Sequence, residues 1–80
     1  MDLWKFIELI ASGEATIVFR CEDLNELERR YRMVHQLVLA NVQKANRYFL
    51  VLTTGTRIMF VRWDQADNAV RGYPNVVYAS

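Results

Sequence analysis

Leu3, Phe6, Ile7 and Ile10 recur at i, i+3, i+4 and i+7, the spacing that lines one face of an α-helix. Asp2 is placed to cap this helix, and Gly13 to end it in a left-handed conformation. Trp4 and Leu9 fall off the main stripe, so the helix is apolar round much of its girth. Such a helix is either sandwiched or meets a second subunit. Residues 15–21 then switch to the two-residue period of a strand. Ile17, Phe19 and Cys21 alternate with Thr16, Val18 and Arg20, which puts the cysteine on the apolar face as a buried thiol.

Asp23, followed three residues later by Glu26, has the spacing of a capping box. Behind it Leu24, Leu27, Tyr31, Val34, Val38 and Ala45 follow helical three–four spacing, and Met33, Leu37 and Ala40 widen the stripe. Glu26 with Arg30, and Glu28 with Arg32, are favourable i,i+4 pairs. No proline or glycine interrupts residues 23–46, so the pattern predicts one long helix over that whole segment. Such a helix would run about 33 Å beside strands of about 23 Å, overhanging the sheet unless it bends.

Residues 47–53 and 57–63 read as strands joined through Thr54-Gly55-Thr56, an antiparallel hairpin with glycine in the turn. Tyr48, Leu50 and Leu52 oppose Phe49 and Val51 on the first, and Ile58 and Phe60 oppose Met59, Val61 and Trp63 on the second. Both faces therefore need cover, from the first helix, a second subunit or a partner. Asp64 is placed to cap a short helix that Gly72 stops, Pro74 forces Tyr73 into extended geometry, and Val76–Tyr78 reads as a final edge strand. The expected fold is α+β over residues 1–80 as a single domain: an N-terminal helix, then a ferredoxin-like β-α-β-β-(short α)-β order. One long helix packs on a mostly antiparallel sheet.

Composition adds constraints. Eighty residues, 52% hydrophobic with three glycines and one proline, make one ordered domain with a thin stability margin. The single cysteine forms no internal disulfide, and Cys21 with His35 is too small a set for a structural zinc. Self-association would supply the missing burial, so a homodimer is expected. The longest apolar runs, Tyr48–Leu52 and Ile58–Val61, fall far short of a membrane span, and Asp2 and Glu8 spoil any signal-peptide reading. The start at Met1, followed at once by structure-forming residues, predicts a complete small cytoplasmic protein.

Charge is laid out unevenly. Residues 1–28 carry seven acids against Lys5 and Arg20, a net −5, whereas residues 29–63 carry seven basic residues and no acid, a net +7. That stretch either attracts an acidic partner or packs beside the acidic first third.

Candidate chemistry is sparse. His35 has no serine near it, Cys21 points inward, Asp64 and Asp67 read as capping groups, and there is no glycine-rich phosphate loop. No cofactor is implied and a non-enzymatic role is expected. Phe60-Val61-Arg62-Trp63 agrees with the last four places of the basic-aromatic strand motif of RNA-recognition modules. Thr56, Arg57 and Met59 depart from the earlier places, and Phe60 and Trp63 point to opposite faces. Arg57, Phe60, Arg62 and Trp63 are therefore the alternative set, for RNA or single-stranded nucleic acid. Protein binding accounts for more of the chain, through its tyrosines, tryptophans and arginines. Arg29, Arg30, Tyr31 and Arg32 are the expected contact set for a larger, acidic-surfaced protein, and Leu3, Trp4 and Leu9 the expected dimer packing. The chain reads as a small stoichiometric inhibitor, adaptor or regulator, of the kind that viruses and mobile elements encode.

Overall fold

The computed structural model describes residues 1–79. Helix α1 (Leu3–Ser12) leads into β1 (Thr16–Cys21) and α2 (Leu24–Val38). A 3₁₀ turn (Leu39–Asn41) precedes β2 (Val42–Asn46), β3 (Phe49–Leu52) and β4 (Arg57–Arg62). A second 3₁₀ turn (Trp63–Gln65), the short α3 (Ala66–Ala69) and β5 (Val76–Tyr78) complete the chain. The result is an α+β fold with an N-terminal helix and a mixed sheet interleaved with helices, consistent with a ferredoxin-like arrangement.

The caps form as the sequence predicts. Asp2 Oδ1 accepts from the Lys5 amide at 2.8 Å and Asp23 Oδ1 from the Glu26 amide at 2.9 Å, while Glu26 reaches back to the Glu22 amide. Asp64 does not cap. It lies inside the second 3₁₀ turn, 3.8 Å from Arg62 Nε, and no side chain caps that turn.

The predicted long helix is overturned in its last third. Helix α2 stops at Val38, and residues 42–46 form an edge strand paired antiparallel with β3. At 15 residues α2 is about 22 Å long, matching the sheet, so the overhang disappears. The predicted strand 47–53 correspondingly starts two residues late, after a turn at Arg47-Tyr48. The segment makes this choice because the open edge of the strongly β-forming Phe49–Leu52 gives residues 42–46 ladder hydrogen bonds. A continued helix would have buried little beyond Val42 and Ala45.

The added strand sets the sheet's direction. With three strands between α2 and α3 instead of two, β4 returns parallel to β1, in register Thr16↔Arg57 through Cys21↔Arg62, and the sheet is mixed rather than mostly antiparallel. The sheet order is β2-β3-β4-β1-β5, with β2–β3 and β3–β4 antiparallel and β1 parallel to both β4 and β5. Both longer helices lie on one face, over Ile17, Cys21, Leu50, Leu52, Ile58 and Phe60. On the other face Val18 and Met59 are buried too, under the chain's own residues 63–75: α3 packs on β4, and the Tyr73 ring lies 5.9 Å from that of Phe49.

Helix α1 is held at its C-terminal end. Thr56, fully buried, donates its hydroxyl to the Leu9 and Ile10 carbonyls at 2.9 Å, and Thr54 Oγ1 donates to Ile10 at 2.7 Å. Gly13 (φ 74°) and Gly55 (φ 100°) meet backbone to backbone there. A Cβ on Gly13 would overlap the Thr54 carbonyl oxygen, so both the left-handed backbone and the close approach demand glycine.

Thr56→Val keeps the shape but removes the shared donor. It is expected to lower unfolding free energy by about 1–2 kcal/mol in urea titration and to speed amide exchange in α1. Unchanged stability and exchange would mean that the hydroxyl does not anchor the helix.

Candidate functional site

The arginines separate into those that build the fold and those that do not. Arg57 is a clamp, its Nε donating to Thr16 Oγ1 at 3.0 Å and its two terminal nitrogens to the carbonyls of Gly55 and Glu14. Arg30 pairs with Glu26 at 3.2 Å, Arg62 lies beside Asp64, and Arg47 sits 5.2 Å over the Tyr48 ring. The Arg47 pKa is raised, first by its hydrogen bond with Tyr48. Arg20 lies between two rings, 4.0 Å from Trp63 and 4.1 Å from Tyr78. Arg29 and Arg32, exposed on the outer side of α2, have no ion pair, hydrogen bond or ring contact among the described residues. The Glu28 carboxylate that was expected to hold Arg32 instead accepts from the Tyr48 hydroxyl at 2.9 Å.

Tyr31 does not share that outward surface. Its ring packs edge-on against Tyr48 and Phe60, at 5.8 and 5.5 Å, and its hydroxyl donates to the Asn46 carbonyl. The helical stripe carries it onto the core, 100° round the helix from Arg32. Of the expected contact set, Arg29 and Arg32 remain outward, Arg30 is tied to Glu26, and Tyr31 belongs to the fold.

The alternative nucleic-acid set is likewise dispersed. Phe60 is buried and stacks face to face on Phe19, ring centroids 5.0 Å apart, so its ring cannot meet a base. Arg57 is spent in its clamp, and Arg62 and Trp63 share their shallow pocket with the acids Glu22 and Asp64. Sequence reasoning missed Arg20 and Tyr78, which join Trp63 from β1 and β5; strand alternation alone gives no sign of that stack.

An exposed apolar surface lies between α1 and α2. Leu3 and Trp4 are 66% and 76% exposed, and Leu37, facing Leu3 and Phe6 from α2, is 74% exposed. A groove of about 450 Å³ runs between the helices, floored by Phe6, Ile10 and Val38. Leu9, expected beside Leu3 and Trp4, instead packs half-buried on the core, because its position turns it toward the sheet. Among the described residues there is no cluster of three or more metal-ligating side chains, and no helix is long and apolar enough to cross a membrane.

Cys21 is fully buried, and burial above all raises its pKa, with the Arg30 charge opposing. The folded protein thus holds the thiol proton more tightly than the unfolded chain. The associated stability is present below the ordinary thiol range and is lost as pH rises through the raised value. Iodoacetamide is expected to leave Cys21 unmodified in the native protein near neutral pH and to label it fully in denaturant; rapid native labelling would place the thiol at the surface. Phe60→Ala is expected to cost about 3–5 kcal/mol and Trp63→Ala about 1 kcal/mol or less in denaturant titration. Similar losses at both would show that Trp63 is as much a core residue as Phe60.

Comparison with protein-family models, with curated proteins and with solved structures gives no significant match.

Proposed function

We propose that the chain is a small non-enzymatic protein-binding module of the cytoplasm, acting stoichiometrically as an inhibitor, adaptor or regulator of a larger, acidic-surfaced protein. The observation that carries this reading is the isolation of Arg29 and Arg32. Of the other six arginines, five are engaged in contacts within the fold and Arg71 lies in an exposed turn, while these two, with no side-chain contact among the described residues, stand one turn apart on a rigid helix. Guanidinium groups so placed recognise carboxylates bidentately without first having to break an internal pair. Encounter with an acidic partner is then steered by charge and weakens as salt rises.

A second reading, single-stranded nucleic-acid binding, draws on Trp63 and Tyr78, whose rings flank Arg20 on the far side of the sheet. Glu22 and Asp64 beside Arg62 and Trp63 oppose a polyanion there, so protein binding is the stronger of the two.

Reversing both free arginines, Arg29→Glu with Arg32→Glu, removes no internal contact and is expected to leave the melting temperature unchanged. Affinity for a captured acidic protein should fall at least about tenfold, or 1.4 kcal/mol, measured by calorimetry against the purified partner. Undiminished affinity would reject this face. Binding of an oligonucleotide that Trp63→Ala abolishes would favour the second reading.

A further inference from the structure

Helix α1 has an apolar arc too wide for the fold beneath it. Phe6, Leu9 and Ile10 reach the core, yet none of its ten residues is buried. Trp4, Ile7 and Ala11 follow one another at i, i+3 and i+7 beside them, Ile7 and Ala11 lining the groove between α1 and α2. Across the groove, Leu37 faces it from α2, and Met33 lies exposed one turn before Leu37. Met1, Leu3, Trp4, Ile7, Met33 and Leu37 are each between 46% and 76% exposed.

We infer that this face is the seat of a second copy of the chain, in a closed two-fold dimer. The first argument is area. At roughly 150–250 Å² for a large apolar residue, these six exposures amount to roughly 700 Å². A stable interface buries about 800 Å² per partner, whereas the apolar patches of free monomers are generally smaller. The second argument is shape. The same face carries a ridge, Trp4 with Ile7, and beside it a groove of about 450 Å³ floored by Phe6, Ile10 and Val38. A two-fold axis places the ridge of each copy in the groove of the other, so a single patch satisfies itself. The third is chemistry: the groove is lined almost wholly by apolar side chains with Asn41 and Thr54 at one end, which suits an uncharged apolar surface and not an acidic one.

The inference rests on a different feature from the arginine reading: Arg29 borders this face, one turn before Met33 on the same i,i+4 row, whereas Arg32 lies further round α2. Sedimentation velocity over a wide concentration range tests it directly. The native chain is expected to double its mass from 9.4 kDa as concentration rises. Leu37→Glu should hold it at monomer mass with an unchanged circular-dichroism spectrum, and Arg32→Glu should still dimerise. A native monomer at every concentration would overturn the inference, as would an open-ended series of larger species or a dimer indifferent to Leu37→Glu. If Leu37→Glu does not fold, acrylamide quenching of Trp4 in a Trp63→Phe background decides. Quenching that falls as the dimer forms supports the inference, and quenching independent of concentration overturns it.

Discussion

Everything in this fold is arranged around β1. It is the one strand with a parallel neighbour on each side, β4 in full register and β5 over Thr16–Val18. Parallel neighbours cannot be joined by tight turns, so the chain must leave the sheet and return between them. Helix α2 with the β2–β3 hairpin makes the first return, and residues 63–75 make the second. Those two excursions are also what cover the sheet, one on each face, and their packing buries Ile17 and Val18 on opposite sides of the same strand. Topology and burial are thus one constraint: a strand apolar on both faces is stable only if its connections cross both.

The parts of this arrangement that could be read in the sequence are those written in periodicity. The stripe of α1 with Asp2 and Gly13 at its ends, the alternation of β1 and the division of Ile58 and Phe60 from Met59 all appear in the structure on the faces that the pattern assigns. Residues 42–46 were not legible because an exposed edge strand has little pattern to show. In β2 only Val42 is half-buried, and Gln43, Lys44, Ala45 and Asn46 lie open to solvent. The turn after it hides as well. It carries no glycine, and Tyr48 adopts φ 62°, a left-handed conformation that a bulky aromatic rarely takes. The hydroxyl bond to Glu28 and the edge-on contact with Tyr31 hold the ring in place, so tertiary structure imposes a turn that local chemistry does not announce.

The same distinction governs the charges. Thirty-five residues without an acid look like one basic face when written in a line, but the fold distributes them. Arg57 finds Thr16 and Glu14 more than forty residues away, across a parallel strand pairing that sequence spacing does not reveal. The ion pairs described, Arg30 with Glu26 and Arg62 with Asp64, are both local. What a linear reading cannot supply is the identity of the arginines left over, because that depends on which others have found acceptors.

Helix α2 shows how closely the two proposed surfaces and the core are tied. Leu27, Val34 and Val38 turn to the sheet, Leu37 to the groove beside α1, and Arg29 and Arg32 outward, with Met33 exposed between Leu37 and Arg29. Fifteen residues at 3.6 per turn make just over four turns, enough for each arc to hold two or three side chains. The arcs are set by one rotation about the helix axis, and Asp23 at the N-cap together with the Tyr31 hydroxyl on Asn46 holds that rotation. A small fold can carry an uncharged apolar face and a free cationic one because their spacing separates them around the helix. An apolar occupant can then close the groove beside α1 without covering Arg32, while charge acts on the outer arc where solvent still reaches it.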